Sequence, residues 1–166
     1  STPPTAPGFS VSITYAERNT MRIAASALIF ALLVPSAPAV AEMHEVMMLN
    51  RNETGPMVYE PDFLQVAPGD TVKFIKTTSG HNAATIDGMV PEGNPGFLGQ
   101  INEEIEIKLD QEGFYGIKCS PHYGMGMVMV IRVGDAARPA SFPADNVPQR
   151  ARKRFEDILG RNGFGK

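Results

Sequence analysis

The chain has 166 residues, 43% of them hydrophobic, with 16 Gly, 14 Pro, no Trp and 1 Cys. Such a composition suits one turn-rich, β-rich globular domain and leaves little room for a second. A formal net charge of −3 excludes the basic footprint that phosphate neutralisation demands, so nucleic acid is not an expected partner.

Residues 1–20 carry no periodic pattern and read as an upstream extension outside the mature protein; the alternative is that Ser1 to Arg22 form a long n-region. From Met21-Arg22 the chain enters the apolar stretch Ile23 to Val34, then Pro35-Ser36-Ala37-Pro38 and Ala39-Val40-Ala41 before Glu42. A charged start, a short apolar run and small residues at the cut site predict a cleaved secretory signal peptide over 21–41. The apolar run is short of the about 20 residues that span a bilayer, so no membrane insertion is expected. The cut falls after Ala39 or Ala41, and Ala-Val-Ala followed by Glu favours Ala41. From Glu42 onward, 13 Lys plus Arg stand against 17 Asp plus Glu, a net charge of −4.

Between His44 and Val133 short runs with two-residue periodicity alternate with turn signals, the pattern of strands with one face buried. Val72 and Phe74 alternate with Thr71, Lys73 and Ile75 after the turn Pro68-Gly69-Asp70. Ile105, Ile107 and Leu109 alternate with Glu104, Glu106, Lys108 and Asp110, and Met127, Met129, Ile131 and Val133 share one face of a last strand. Seven or eight strands at this spacing predict an all-β, Greek-key sandwich of two sheets over 42–134. Beyond Gly134 the character changes: Pro139, Pro143 and Pro148 punctuate a polar stretch, and Gln149 to Leu159 carries Ala151, Phe155, Ile158 and Leu159 at helical spacing. Residues 135–166 are therefore expected to form a helical extension packed on the same domain. The run Arg150, Arg152, Lys153, Arg154 reads as a solvated helix face, or else a docking patch. Gly160 and Gly163 read as helix termination and a loose tail.

A single cysteine excludes an internal disulfide, so in an exported chain Cys119 must be buried, metal-bound or oxidised. The segment Cys119-Ser-Pro-His122-Tyr-Gly-Met-Gly-Met127 puts a thiolate, an imidazole and thioethers on one short loop between strands. Those are soft ligands that suit copper, and two His, one Cys and a weak axial Met make an electron-transfer site. The second imidazole is His44 or His81. His81 is favoured: it follows the strand ending near Thr77, and Gly80 before it lets the loop bend toward the other ligands. His44 sits near a terminus without such a setting. Either Met125 or Met127 has axial spacing.

Taken together, Glu60-Pro61, the run Pro68 to Ile75, Gly80-His81-Asn82, the run Met89 to Gly93, Ile101-Asn102-Glu103 and the run Lys118 to Met127 resemble the pseudoazurins across essentially the whole mature chain. The resemblance implies a cupredoxin sandwich with a C-terminal helical extension, one copper ion held by His81, Cys119, His122 and Met127, and one-electron transfer in the periplasm of a Gram-negative bacterium. It assigns Met125 to an apolar rim, and it strengthens a role for Asn82 in tying the two ligand loops through Ser120. It places Met57 where a side chain lies against a ligand imidazole. Partners would dock transiently on the surface around His122, formed by Pro121, Met125, Lys118 and Arg51, the last expected in the first loop. Redox proteins are the expected partners, a reductase such as copper nitrite reductase as acceptor and a cytochrome or dehydrogenase as donor. Ser79 and Leu98 stand where the family often has Lys, which thins the basic ring around that surface.

An oxidase or reductase activity would need further metal-binding histidines, and the chain has 3 His in total; no enzyme is expected. A Cu(I) chaperone or storage protein is the principal alternative, because Met43, Met47, Met48, Met125, Met127 and Met129 offer soft ligands. A structural zinc site would favour a harder set without thioether. A carrier that shuttles is expected to be a monomer.

Overall fold

The computed structural model describes residues 40–165 and, before them, Thr2 and Gly8. The upstream extension and nearly all of the signal peptide expected from the sequence lie outside the described residues. Every named element lies in one compact unit, Pro38–Lys166.

Eight strands form two four-stranded sheets. The first has the order β2-β1-β4-β6 and comprises β2 (Gly55–Glu60), β1 (Met43–Asn52), β4 (Asp70–Ile75) and β6 (Ile105–Leu109). The second has the order β3-β8-β7-β5 and comprises β3 (Phe63–Val66), β8 (Val128–Val133), β7 (Gly113–Lys118) and β5 (Ala84–Thr85). Neighbours distant in sequence pair in parallel, β1 with β4 and β3 with β8, so the chain crosses between sheets as a Greek-key sandwich requires.

Where one face is wet the predicted alternation holds. In β4, Val72 and Phe74 are buried between Thr71, Lys73 and Ile75, which are half-exposed. In β7 and β8 both faces are buried. Tyr115, Ile117, Met129, Ile131 and Val133 point into the core between the sheets, while Phe114, Val128 and Val130 join a second cluster beneath the C-terminal helix.

That helix, α1 (Gln149–Arg161), buries Ala151, Phe155, Ile158 and Leu159 as their spacing predicts. Each large apolar side chain so buried contributes about 1.5–3 kcal/mol. Gly160 lies inside the helix rather than ending it; Asn162 caps the end, its side chain donating to Ile158 O at 2.8 Å. The expected loose tail is anchored: Phe164 stacks on Phe63 at 5.8 Å and meets Phe114 edge-on at 5.2 Å. The basic run is divided in its uses. Arg152 donates to Ala144 O and Arg154 to Pro56 O and Met57 O, whereas Lys153 pairs with Asp157 on the surface. Among the described residues no helix is long and apolar enough to cross a membrane.

Candidate metal centre

His81 lies in the loop between β4 and β5 and is fully buried. Gly80 before it has φ +92°, the left-handed conformation that turns the loop and that a side chain would resist. Cys119 follows β7 directly and is also without exposure, His122 is half-buried ahead of a short 3₁₀ turn (Tyr123–Met125), and Met127 is fully buried just before β8.

Hydrogen bonds within the loop fix this spacing: His122 N donates to Cys119 O, Cys119 N to Met127 O and Met127 N to His122 O. Gly126, at φ +91°, allows close approach to α1, since a Cβ there would stand 3.1 Å from Arg150 O.

Three donor atoms converge. His81 Nδ1 and His122 Nδ1 are 3.1 Å apart, and Cys119 Sγ is 3.7 Å from the first and 3.5 Å from the second. His81 Nε2 meets Asn50 Oδ1 at 2.8 Å. That oxygen only accepts, so Nε2 carries the hydrogen and Nδ1 turns its lone pair inward. A point equidistant from the corners of this triangle lies about 2.0 Å from each, the length of a metal–nitrogen bond and a few tenths of an ångström short of a metal–thiolate bond of about 2.3 Å. Lone pairs held this close repel one another unless a cation shares them, so the donor set fits a metal ion. His44 takes no part. It pairs with Asp70 at 2.9 Å, some six residues and therefore about 20 Å along β1 from Asn50.

The electrostatics agree with the geometry. Burial, and then the neighbouring His122, push the His81 pKa down from 6.5, so the ring favours its neutral, ligating form. Burial pushes the Cys119 thiol up, opposed by the backbone N–H groups of Asn82 and His122 that face the sulfur. Those N–H groups stabilise the thiolate once a cation displaces its proton.

Asn82, 3% exposed, ties the loops together. Its Oδ1 accepts from Ser120 N at 2.7 Å, and its Nδ2 donates to Ser120 Oγ at 3.0 Å and Gly99 O at 2.8 Å. Its carbonyl accepts from Tyr59 OH at 2.7 Å, and burial, with the nearby Cys119 second, raises the Tyr59 pKa well above 10.0. Met57 is half-buried against the inter-sheet core at φ 51°. Asn50, Tyr59 and Gly99 were not identified from the sequence, and Asn102, whose side chain accepts from Gly80 N, entered there only as part of the family resemblance. The one local sign of Asn50 is a polar residue ending the apolar run of β1.

Pro121 and Met125 are exposed beside His122, and the Lys118 ammonium stands 5.2 Å above the Tyr123 ring. Arg51 is exposed but belongs to β1, paired with Pro56, rather than to a loop. Leu98 and Ile101 are 69% and 55% exposed and flank Gly99, whose carbonyl holds Asn82.

The model of copper-binding proteins of the plastocyanin/azurin family matches residues 46–134. A pseudoazurin from Paracoccus pantotrophus is 43% identical over 132 residues, covering 78% of this chain and 90% of that protein. The crystal structure of pseudoazurin from Methylobacterium extorquens AM1 superposes with a TM-score of 0.66 at 38% identity, covering 72% of this chain and 98% of that one. Native pseudoazurin from Hyphomicrobium denitrificans gives a TM-score of 0.67 at 36% identity, covering 72% and 97%. The chain therefore belongs to the pseudoazurins, within the plastocyanin/azurin family of copper-binding proteins: a blue-copper electron carrier of cupredoxin fold, not an enzyme.

Proposed function

We propose that His81 Nδ1, Cys119 Sγ, His122 Nδ1 and the Met127 thioether hold one type 1 copper ion, and that the chain carries single electrons between redox proteins in the periplasm of a Gram-negative bacterium. The observation that supports this most is the convergence of the two Nδ1 atoms and the thiol sulfur within 3.7 Å of one another. When bound, copper supplies one-electron exchange between its cuprous and cupric states. The chain's own part is to hold the donors in one arrangement for both states. The two-sided bonding of Asn82 to Ser120 and the loop bonds from Cys119 to Met127 serve that end.

His122 is the least buried of the three convergent donors, and exposed Pro121, Gly124 and Met125 surround it. Electrons enter and leave by that ring, through a transient contact with an apolar surface extended by Leu98 and Ile101. Lys118 and Arg51 are the cations on this reading, and Ser79 and Leu98 leave the basic ring thin. Reaction with an acidic reductase, copper nitrite reductase among the candidates, then shows a modest salt dependence. Residues 21–41 act as the export signal, residues 1–20 are no part of the working protein, and the carrier is monomeric.

Adding Cu(II) to the copper-free protein should give an intense visible band that ascorbate bleaches and reoxidation restores, and Cys119→Ser should abolish it. A colourless product that binds only Cu(I) would sink the carrier and favour a Cu(I) chaperone. The Met-rich basis of that second reading is weak: Met48 and Met129 have no exposure and belong to the core, and Met43, although exposed, lies seven residues, about 23 Å, along β1 from Asn50 at the metal end.

A further inference from the structure

At the other end of β1 from Asn50, the Asp70 carboxylate is 4% exposed and meets three donors, each at 2.9 Å: Glu42 N on Oδ1, and His44 Nε2 and Ala67 N on Oδ2. Its pKa lies below 3.8, the Glu42 N–H being the largest cause and the His44 bond the next. Among the described residues, His44 is the one basic side chain within ion-pair reach of it. Its hydrogen bonds outweigh the cost of its desolvation, and a permanent cation beside it would add the attraction of an opposite charge. Glu42 is held there independently, because Thr71 N donates to Glu42 O at 2.8 Å and Met43 pairs with Thr71 in parallel register.

The missing cation is one covalent step away. Ala39-Val40-Ala41 precedes Glu42, with small residues at the two positions a signal peptidase reads. Hydrolysis of the Ala41–Glu42 bond adds water across it: Ala41 leaves with a carboxylate, and Glu42 keeps the amine, which takes up a proton near neutral pH. The atom that gains the charge already lies 2.9 Å from Asp70 Oδ1. A cut after Ala39 would leave the Glu42 nitrogen a neutral amide and put the new ammonium on Val40, which is 83% exposed.

We propose that Asp70 is the receptor for the α-ammonium created by processing at Ala41–Glu42, so that leader removal itself installs a terminal ion pair fastening β1 to the sandwich. The inference rests on the reading of 21–41 as an export signal. It makes the processed chain more stable than any form in which Glu42 is still acylated. Fastening this end matters because β1 lies inside its sheet, between β2 and β4. The bond to the ionised carboxylate then has a charge on both partners, which adds the attraction of opposite charges to a bond already present.

The test begins with the intact mass of the copper protein recovered from the periplasm after expression with its own leader. A chain starting at Glu42 is expected, one starting at Val40 overturns the placement of the cut, and an uncleaved chain refutes the export reading itself. Unfolding of the copper-loaded protein is then compared for chains released from a fusion to start at Glu42, to start at Ala41, or to start at Glu42 with an acetyl cap. The free Glu42 form should have a folding constant larger than that of both neutralised forms, by up to about five-fold. Asp70→Asn should erase that difference. Equal stabilities, or a loss in the Ala41 form that the acetyl cap does not reproduce, overturns the ion pair even if Asp70→Asn fails to fold. The blue band, read in every sample, reports separately on the metal reading.

Discussion

Asn82→Ala tests whether the ligand loops are held by one side chain. The substitution deletes the bond from Ser120 N and those to Ser120 Oγ and Gly99 O, at 2.7, 3.0 and 2.8 Å. The Asn82 carbonyl that accepts from Tyr59 is untouched. Each net bond contributes about 1 kcal/mol, and the buried Gly99 carbonyl is left without this donor, so the loss is about 3 kcal/mol. Such a loss is a large fraction of the about 5–15 kcal/mol that stabilises a domain. With a urea dependence of about 2 kcal/mol per molar, the unfolding midpoint falls by about 1.5 M. The chain has no Trp and 4 Tyr, so tyrosine fluorescence of the copper-free protein follows the transition. The copper-loaded variant should also show a shifted visible band, because the loop carrying Cys119 has lost its tie. Ser120→Ala removes only an exposed hydroxyl partner and should cost less than about 1 kcal/mol. A midpoint shift for Asn82→Ala below about 0.5 M, with an unchanged band, would refute the reasoning.

Gly126→Ala forces a side chain into φ +91° with its Cβ 3.1 Å from Arg150 O, and should cost about 1–2 kcal/mol and perturb the spectrum. Gly124→Ala, where a Cβ meets nothing within 4 Å, is its control, and equal behaviour of the two would refute the contact. Phe155→Ala empties a site with no exposure in the cluster beneath α1 and should cost about 3–5 kcal/mol while leaving the blue band unchanged. A changed band would show that the helix-side core does reach the metal. In the copper-free protein the folded His81 pKa is below 6.5, so between that value and 6.5 the unfolded chain binds the extra proton. Stability is then complete above 6.5 and falls as the pH drops below it. Urea midpoints at about pH 7.5 and about pH 5.5 should show that fall, and His81→Gln should reduce it.

Much of the candidate copper centre was legible because its determinants are local. Cys119, His122 and Met127 lie within one loop whose own backbone bonds set their spacing. Gly80 marks the bend before His81 and adopts the positive φ that its place suggested. Asn50 was not legible. It reaches His81 only because β1 pairs in parallel with β4, a contact between segments separated by about 28 positions that no local pattern announces. Arg51 went astray for a related reason: its neighbours are polar, yet pairing with Pro56 keeps it in the strand.

By itself the sequence determined what depends on near neighbours: the alternation in β4 and β6, the amphipathic face of α1 and the donor set around Cys119. These follow from side-chain period and ligand chemistry, both written within a few residues. Only the tertiary structure decided that β7 and β8 are buried on both faces, that Phe164 anchors the tail, that Arg154 reaches across to Met57, and that Asp70 waits beside Glu42 N. Each of those depends on which distant segments come to share a surface, and that is settled by packing of the whole sandwich rather than by any one stretch of chain.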